Sequence, residues 1–138
     1  MCIRDSPRGV YVHSGMLFDC IETGSAVAVI SLDQIRCLPG THNAQNVAAA
    51  YAVARICGLK REAIINGLMS FKGLPHRQEL LAVIDGVAYV NDSKATNCES
   101  AARALSCYSD VYWIAGGRAK DGGMEAAKPY LDRVRHVY

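Results

Sequence analysis

Val87-Ala88-Tyr89-Val90-Asn91-Asp92-Ser93-Lys94-Ala95-Thr96-Asn97-Cys98-Glu99 holds the transition that decides the fold. The apolar, aromatic and β-branched residues before Asn91 read as a strand. The chain then turns polar. Thr96 and Glu99 have the T-x-x-E spacing of a helix capping box, predicting a helix over 97–107. A strand passing through a polar turn into a helix is a building unit of an open α/β sheet. In such sheets ligands sit at the carboxyl ends of the strands.

Working outward, residues 78–84 form a second apolar run, joined to 87–91 through Asp85-Gly86, a hairpin signal. Downstream come a strand at 111–115, a Gly116-Gly117 exit, a helix over 124–131 and the start of a strand at His136. The order β-β-α-β-α-β predicts a parallel sheet with helices packed on it. Residues 87–91 and 111–115 should be parallel neighbours, with 78–84 antiparallel to the former. A layer that stops at its third parallel strand reads as incomplete.

Ahead of these, short strands are expected at 10–12, 16–18 and 26–30, with a further candidate at 34–38 before the Pro39-Gly40 turn. A helix over 44–57 follows, with Asn43 as its cap. Val47, Ala50, Tyr51, Ala54 and Ile56 give its apolar face. The near-continuous apolar run at 47–54 predicts burial on most sides. Gly58 ends it, and a second helix over 61–70 pairs with it antiparallel, turning Ile64, Ile65, Leu68 and Met69 inward. Gly73-Leu74-Pro75 interrupts the pattern, setting domains at 1–74 and 75–138.

A hydrophobic share of 51% with 20% charged residues is that of a folded globular chain. The net charge of +2, without a basic run, gives no case for a nucleic-acid partner. No apolar stretch reaches the ~18 residues that would span a bilayer, and the first residues lack a signal-peptide core. None of the six cysteines lies in a C-x-x-C pair or at zinc-finger spacing from a His, so no metal site is expected. A cytoplasmic protein with reduced thiols is the expectation.

Four polar clusters can carry chemistry. In Gly40-Thr41-His42-Asn43-Ala44-Gln45-Asn46, the two amides at a helix start can offer donor and acceptor to a flat polar ring such as a purine. Alternatively, Asn43 only caps the helix. In Leu74-Pro75-His76-Arg77-Gln78-Glu79, Arg77 can clamp a phosphate, or it is a solvated linker charge. Asn91 to Asn97 sets an acid, Asp92, a cation, Lys94, and the Thr96 hydroxyl at a strand-to-helix turn. An anion is favoured at such a helix N-terminus. A plain polar turn would leave Asp92 and Lys94 without a role. Gly116-Gly117-Arg118-Ala119-Lys120-Asp121-Gly122-Gly123 lets a backbone approach a ligand closely, and Lys120 can meet a carboxylate. No G-x-x-x-x-G-K-[ST] phosphate loop occurs in these 138 residues.

In this order and spacing the clusters resemble the Mur ligases. Gly40-x-His42-Asn43-x-x-Asn46 looks like the family's adenine-contacting segment. Asn91-Asp92-Ser93-Lys94-Ala95-Thr96-Asn97 is similar to the branch that adds D-glutamate, as is Trp113-Ile114-Ala115-Gly116-Gly117 with Lys120. Other branches, and the folylpolyglutamate synthases, carry a His-containing motif at the equivalent strand end. The likeness extends over about 26–138. Residues 1–7 match nothing in the family and read as an artificial start.

The resemblance implies the end of a P-loop-type central ATPase domain followed by the first part of a Rossmann-like C-terminal domain. It implies an ATP- and Mg2+-dependent ligase of peptidoglycan synthesis that joins D-glutamate to UDP-N-acetylmuramoyl-L-alanine through an acyl phosphate. Asn43, Asn46, Arg77 and Asp92 would bind ATP. Lys94, Thr96 and Lys120 would bind D-glutamate, with Lys94 and Lys120 also steadying the reacting carboxyl. The magnesium ligands would lie outside this stretch, and the stretch alone would be inactive. A related ligase adding another amino acid or glutamate tails, and a non-catalytic nucleotide-binding module, are the competing readings.

Overall fold

The computed structural model describes residues 9–22, 24–118 and 123–138. The chain divides into two compact units, Met1–Lys72 and Gly73–Tyr138.

Unit 1 opens with a three-stranded antiparallel meander of β1 (Val10–His13), β2 (Met16–Asp19) and β3 (Val27–Ser31). Ser14 and Gly15 take φ of 49° and 75°, the left-handed pair that matches a tight turn to the strand twist. Two helices follow, α1 (Thr41–Ile56) and α2 (Arg61–Ser70). Helix α1 packs on β1 and touches α2, while α2 touches β3. Val10, Leu17, Ile30, Ile35, Val47, Tyr51 and Ile64 close the core between these layers.

Three expectations for this unit are corrected. Residues 34–38 form no strand. Leu32–Gln34 is a 3-10 turn, and successive local bonds from Ile35 N–H to Leu32 and from Leu38 N–H to Ile35 use up the backbone groups. Helix α1 starts before Asn43, with Gly40 at its cap position at φ 90°, so Asn43 lies inside the first turn and does not cap it. Nor is α1 buried on most sides. Val47 and Tyr51 face the core, whereas Val53 and Ile56 are 60% and 78% exposed, because the sheet covers one side only.

Unit 2 begins with the hairpin of β4 (Glu79–Ile84) and β5 (Val87–Asn91). Its turn residues Asp85 and Gly86 both take positive φ, 49° and 80°, as the Asp-Gly signal requires. Helix α3 (Cys98–Leu105) follows, capped by Asn97, whose Oδ1 accepts from Ser100 N–H at 2.8 Å. The Thr96–Glu99 capping box is therefore corrected by one residue. The Thr96 N–H is already turned onto the Lys94 carbonyl, leaving Asn97 as the extended residue that can cap.

β6 (Val111–Trp113) and β7 (Val134–Val137) pair in parallel, joined by the 3-10 segment Glu125–Arg133 that packs on α3. An α-helix was expected there. Pro129 lacks the N–H needed for the α ladder, and its ring crowds the turn before it. The expected pairing of 87–91 with 111–115 is also absent. Among the described residues β5 pairs with β4 alone, and β6 with β7. β5 ends at Asn91, whose side chain takes the Ser93 N–H, and the Asp92 carbonyl then takes the Ala95 N–H. The chain thus curls into a turn where a longer ladder would run. The architecture is mixed α/β with small sheets. No described helix is long and apolar enough to cross a membrane.

Candidate functional site

In unit 1 the chemistry-bearing residues gather at the amino end of α1. The Asn43 Nδ2 donates to the Pro39 carbonyl at 2.7 Å, and the Asn43 Oδ1 accepts from Asn46 Nδ2 at 3.2 Å. Gly40 reverses the chain so that Pro39 can receive this bond. An amide has two N–H groups and two lone pairs. Among the described residues Asn43 therefore keeps one of each, and the exposed Asn46 keeps its carbonyl oxygen. The pair presents donors and acceptors in a fixed arrangement, the requirement for reading the edge of a planar base.

The opposite end of the same helix is held by a buried carboxylate. Asp19, 3% exposed, closes β2. Its Oδ1 accepts from Ile21 N–H at 2.9 Å, and its Oδ2 from the Tyr51 hydroxyl at 2.8 Å and Arg55 Nε at 3.1 Å. The Arg55 guanidinium also donates to Glu22 and, at 3.1 Å, to the Leu59 carbonyl. Arg61 adds a cation 3.8 Å from the carboxylate. Burial pushes the Asp19 carboxyl up, but bonds from Ile21, Tyr51 and Arg55 and the Arg55 charge outweigh it and hold it below its ordinary value. Burial, then the bond to Asp19, pushes the Tyr51 phenol up. Sequence reading missed this cluster. Its members come from separate segments, and only the lone acid ending an apolar strand hinted at it.

In unit 2 the turn after Pro75 is laced to the turn after β5. The Lys94 N–H donates to the His76 carbonyl at 2.9 Å, and the Gln78 N–H to the Asp92 Oδ1 at 3.0 Å. The Asn91 amide donates to His76 Nδ1 at 2.9 Å, and the Glu79 carboxylate accepts from the His76 N–H at 2.8 Å. His76 and Gln78 both take left-handed backbone angles, φ 63° and 45°. Such angles cost of order 1 kcal/mol or more and collect at functional turns. His76 and Gln78 were not singled out from sequence. They are what joins the Arg77 segment to Asp92.

The lacing brings the exposed Arg77 beside the turn that carries Asp92, Lys94 and Thr96. No ion pair joins Arg77 to Asp92 among the described residues. Lys94 and Thr96 are exposed. Lys120, expected on the same rim, lies outside the described residues, as do residues 1–7. Asp92, with one oxygen taken by the Gln78 N–H, keeps acceptor capacity for hydroxyls, and the exposed Arg77 and Lys94 are cations that can attract anions. Among the described residues no group of His, Cys, Asp and Glu is arranged to hold a metal ion.

No family model matches the chain. It is similar to proteins named UDP-N-acetylmuramoylalanine–D-glutamate ligase in several bacteria. That of Rhodospirillum rubrum is 51% identical over 136 residues, 98% of this chain and 28% of the relative. That of Caulobacter vibrioides is 48% identical over 132 residues, 95% of this chain and 28% of the relative. That of Cereibacter sphaeroides is 48% identical over 129 residues, 94% of this chain. The chain thus spans about 28% of the length of these relatives. The resemblance read from the motifs and the whole-segment similarity point to the same enzymes.

Proposed function

We propose that this chain, a relative of one segment of the UDP-N-acetylmuramoylalanine–D-glutamate ligases, supplies the adenine-reading and D-glutamate-binding parts of an ADP-forming amide ligase of peptidoglycan synthesis. The observation that carries this is the 51% identity to one such ligase over 136 residues, 98% of the chain. Unit 1 would close a P-loop-type ATPase domain, and unit 2 would open a Rossmann-like ligase domain.

In the proposed reaction ATP phosphorylates the carboxylate of UDP-N-acetylmuramoyl-L-alanine. The amine of D-glutamate attacks the acyl phosphate, the amide forms, and phosphate leaves. Asn43 and Asn46 read adenine. Asp92 accepts from the ribose hydroxyls, and Arg77 meets the phosphates. Lys94, Thr96 and Lys120 bind the two carboxylates of D-glutamate, with Lys94 and Lys120 also offsetting charge at the reacting carboxyl. The magnesium that accompanies ATP is assigned to ligands outside this segment, and its part is to offset phosphate charge. This chain's residues contribute by positioning and by electrostatic complementarity.

The test is substrate-resolved kinetics on the complete ligase containing this segment. Asp92→Ala should chiefly weaken use of ATP, and Lys94→Ala or Lys120→Ala use of D-glutamate. Each should cost roughly 2–4 kcal/mol of transition-state stabilisation. Near-normal kinetics for both substrates in all three variants would remove the site assignment. A preference for another amino acid would favour a different branch of the ligases.

A further inference from the structure

We infer that Asp19, Tyr51 and Arg55 are positioning residues for adenine recognition: they fix the rotation of α1 about its axis, and through it the aim of the Asn43 and Asn46 amides. This rests on the adenine reading of that pair and deepens it.

Asn43, Val47, Tyr51 and Arg55 lie four residues apart and form one ridge along α1. Val47 and Tyr51 are buried in the core. Apolar burial is non-directional, so it resists separation of helix and sheet better than it resists rotation. Hydrogen bonds to an ionised carboxylate are directional and stronger than neutral ones. Two of them reach Asp19 Oδ2 from consecutive turns of the helix, Tyr51 at 2.8 Å and Arg55 at 3.1 Å. The carboxylate is itself tied to the backbone at Ile21. Arg55 is held at every nitrogen, to Asp19, to Glu22 and to the Leu59 carbonyl past the end of the helix. This end of α1 therefore has one rotational setting.

The far end depends on that setting. A helix transmits rotation along its length, about 18 Å from residue 43 to residue 55 at the usual rise. Side-chain tips stand roughly 5–6 Å from the axis, so a turn of about 10° moves a tip by about 1 Å. That is enough to break the bond from Asn43 Nδ2 to the Pro39 carbonyl, and a misplacement of about 1 Å can cost on the order of a hundredfold in rate. A purely structural anchor would lower stability and weaken every substrate alike. A rotational anchor for base-reading amides acts selectively on the nucleotide base.

The experiment compares ATP with GTP in the complete ligase containing this segment, measuring KM for each nucleotide, KM for D-glutamate, and kcat. Tyr51→Phe keeps the ring and removes only the hydroxyl, and Asp19→Asn removes the charge. Asn43→Ala and Asn46→Ala report on the adenine reading itself. Should Asp19→Asn fail to fold, Tyr51→Phe decides. We expect Tyr51→Phe to raise KM for ATP and cut the preference for ATP over GTP by about tenfold, leaving KM for D-glutamate within about twofold. If the two Asn variants lose the preference while Tyr51→Phe keeps it, the positioning role is overturned and the adenine reading stands. If KM for ATP and for D-glutamate rise together in Tyr51→Phe, the anchor is merely structural. If the Asn variants keep the preference, the adenine reading falls, and the inference with it.

Discussion

Asp19 shows how one residue sets the energetics of its unit. Removing the Tyr51 hydroxyl with Tyr51→Phe takes away a buried bond to an ionised group, and should destabilise unit 1 by about 2 kcal/mol in urea unfolding. An unchanged midpoint would mean that the bond is replaced by water. The pH dependence follows from the direction of the Asp19 shift. A carboxyl held low in the folded state stabilises the fold fully above its unfolded value of about 3.9, and this is lost as pH falls through the lower folded value. The stability gap between the native chain and Asp19→Asn should therefore hold steady above about pH 5 and narrow as pH falls below the unfolded value of about 3.9. A constant gap below that value would contradict the assigned network. Tyr51 acts at the other extreme. Its raised phenol contributes fully below about pH 10 and loses that contribution as pH rises further. At this scale the sequence disclosed the types of residue at the candidate sites but not their partners. Asn43 and Asp92 stood out because amides and acids at element ends are informative. Asp19, His76 and Gln78 owe their roles to contacts between distant segments or to left-handed backbone, and neither is a local property.

Among the elements, the hairpin of β4 and β5 followed directly from Asp85-Gly86, and helix α2 from the Arg61–Ser70 pattern, although Met69, expected inward, is 49% exposed. Where expectation and structure part, a specific competing interaction prevails. The capping of α3 moved from Thr96 to Asn97 because Lys94 claims the Thr96 N–H. Asn97→Ala should then cost about 1 kcal/mol of unit 2 stability, while Thr96→Ala stays within about 0.5 kcal/mol. Equal losses in urea unfolding would restore the capping box. Pro129 converts the last helical stretch to 3-10 geometry, which the apolar pattern around it could not reveal. The β5–β6 pairing was inferred from alternation alone, and alternation does not specify which strands become neighbours. The hairpin also leaves Leu80, Leu81, Val83 and Ile84 more than half exposed, so its apolar run is wider than this segment's own core requires.

For the whole molecule, the two units map onto a stretch covering about 28% of the related ligases, and the candidate residues are divided between them. Asn43 and Asn46 belong to unit 1, and Arg77, Asp92, Lys94 and Thr96 to unit 2. No G-x-x-x-x-G-K-[ST] phosphate loop occurs in the sequence, and the prediction is that the isolated chain forms no ADP from ATP with both other substrates present. ADP above background would show that phosphate handling lies within these residues. The central claim is that this segment serves D-glutamate addition. Its most direct test is ADP release by the complete ligase, supplied with ATP and UDP-N-acetylmuramoyl-L-alanine and challenged in turn with D-glutamate, L-glutamate and other amino acids. Release that depends on D-glutamate, and is lost in Lys94→Ala, is the predicted result. Release driven equally well by another amino acid, or unaffected by Lys94→Ala, would contradict it.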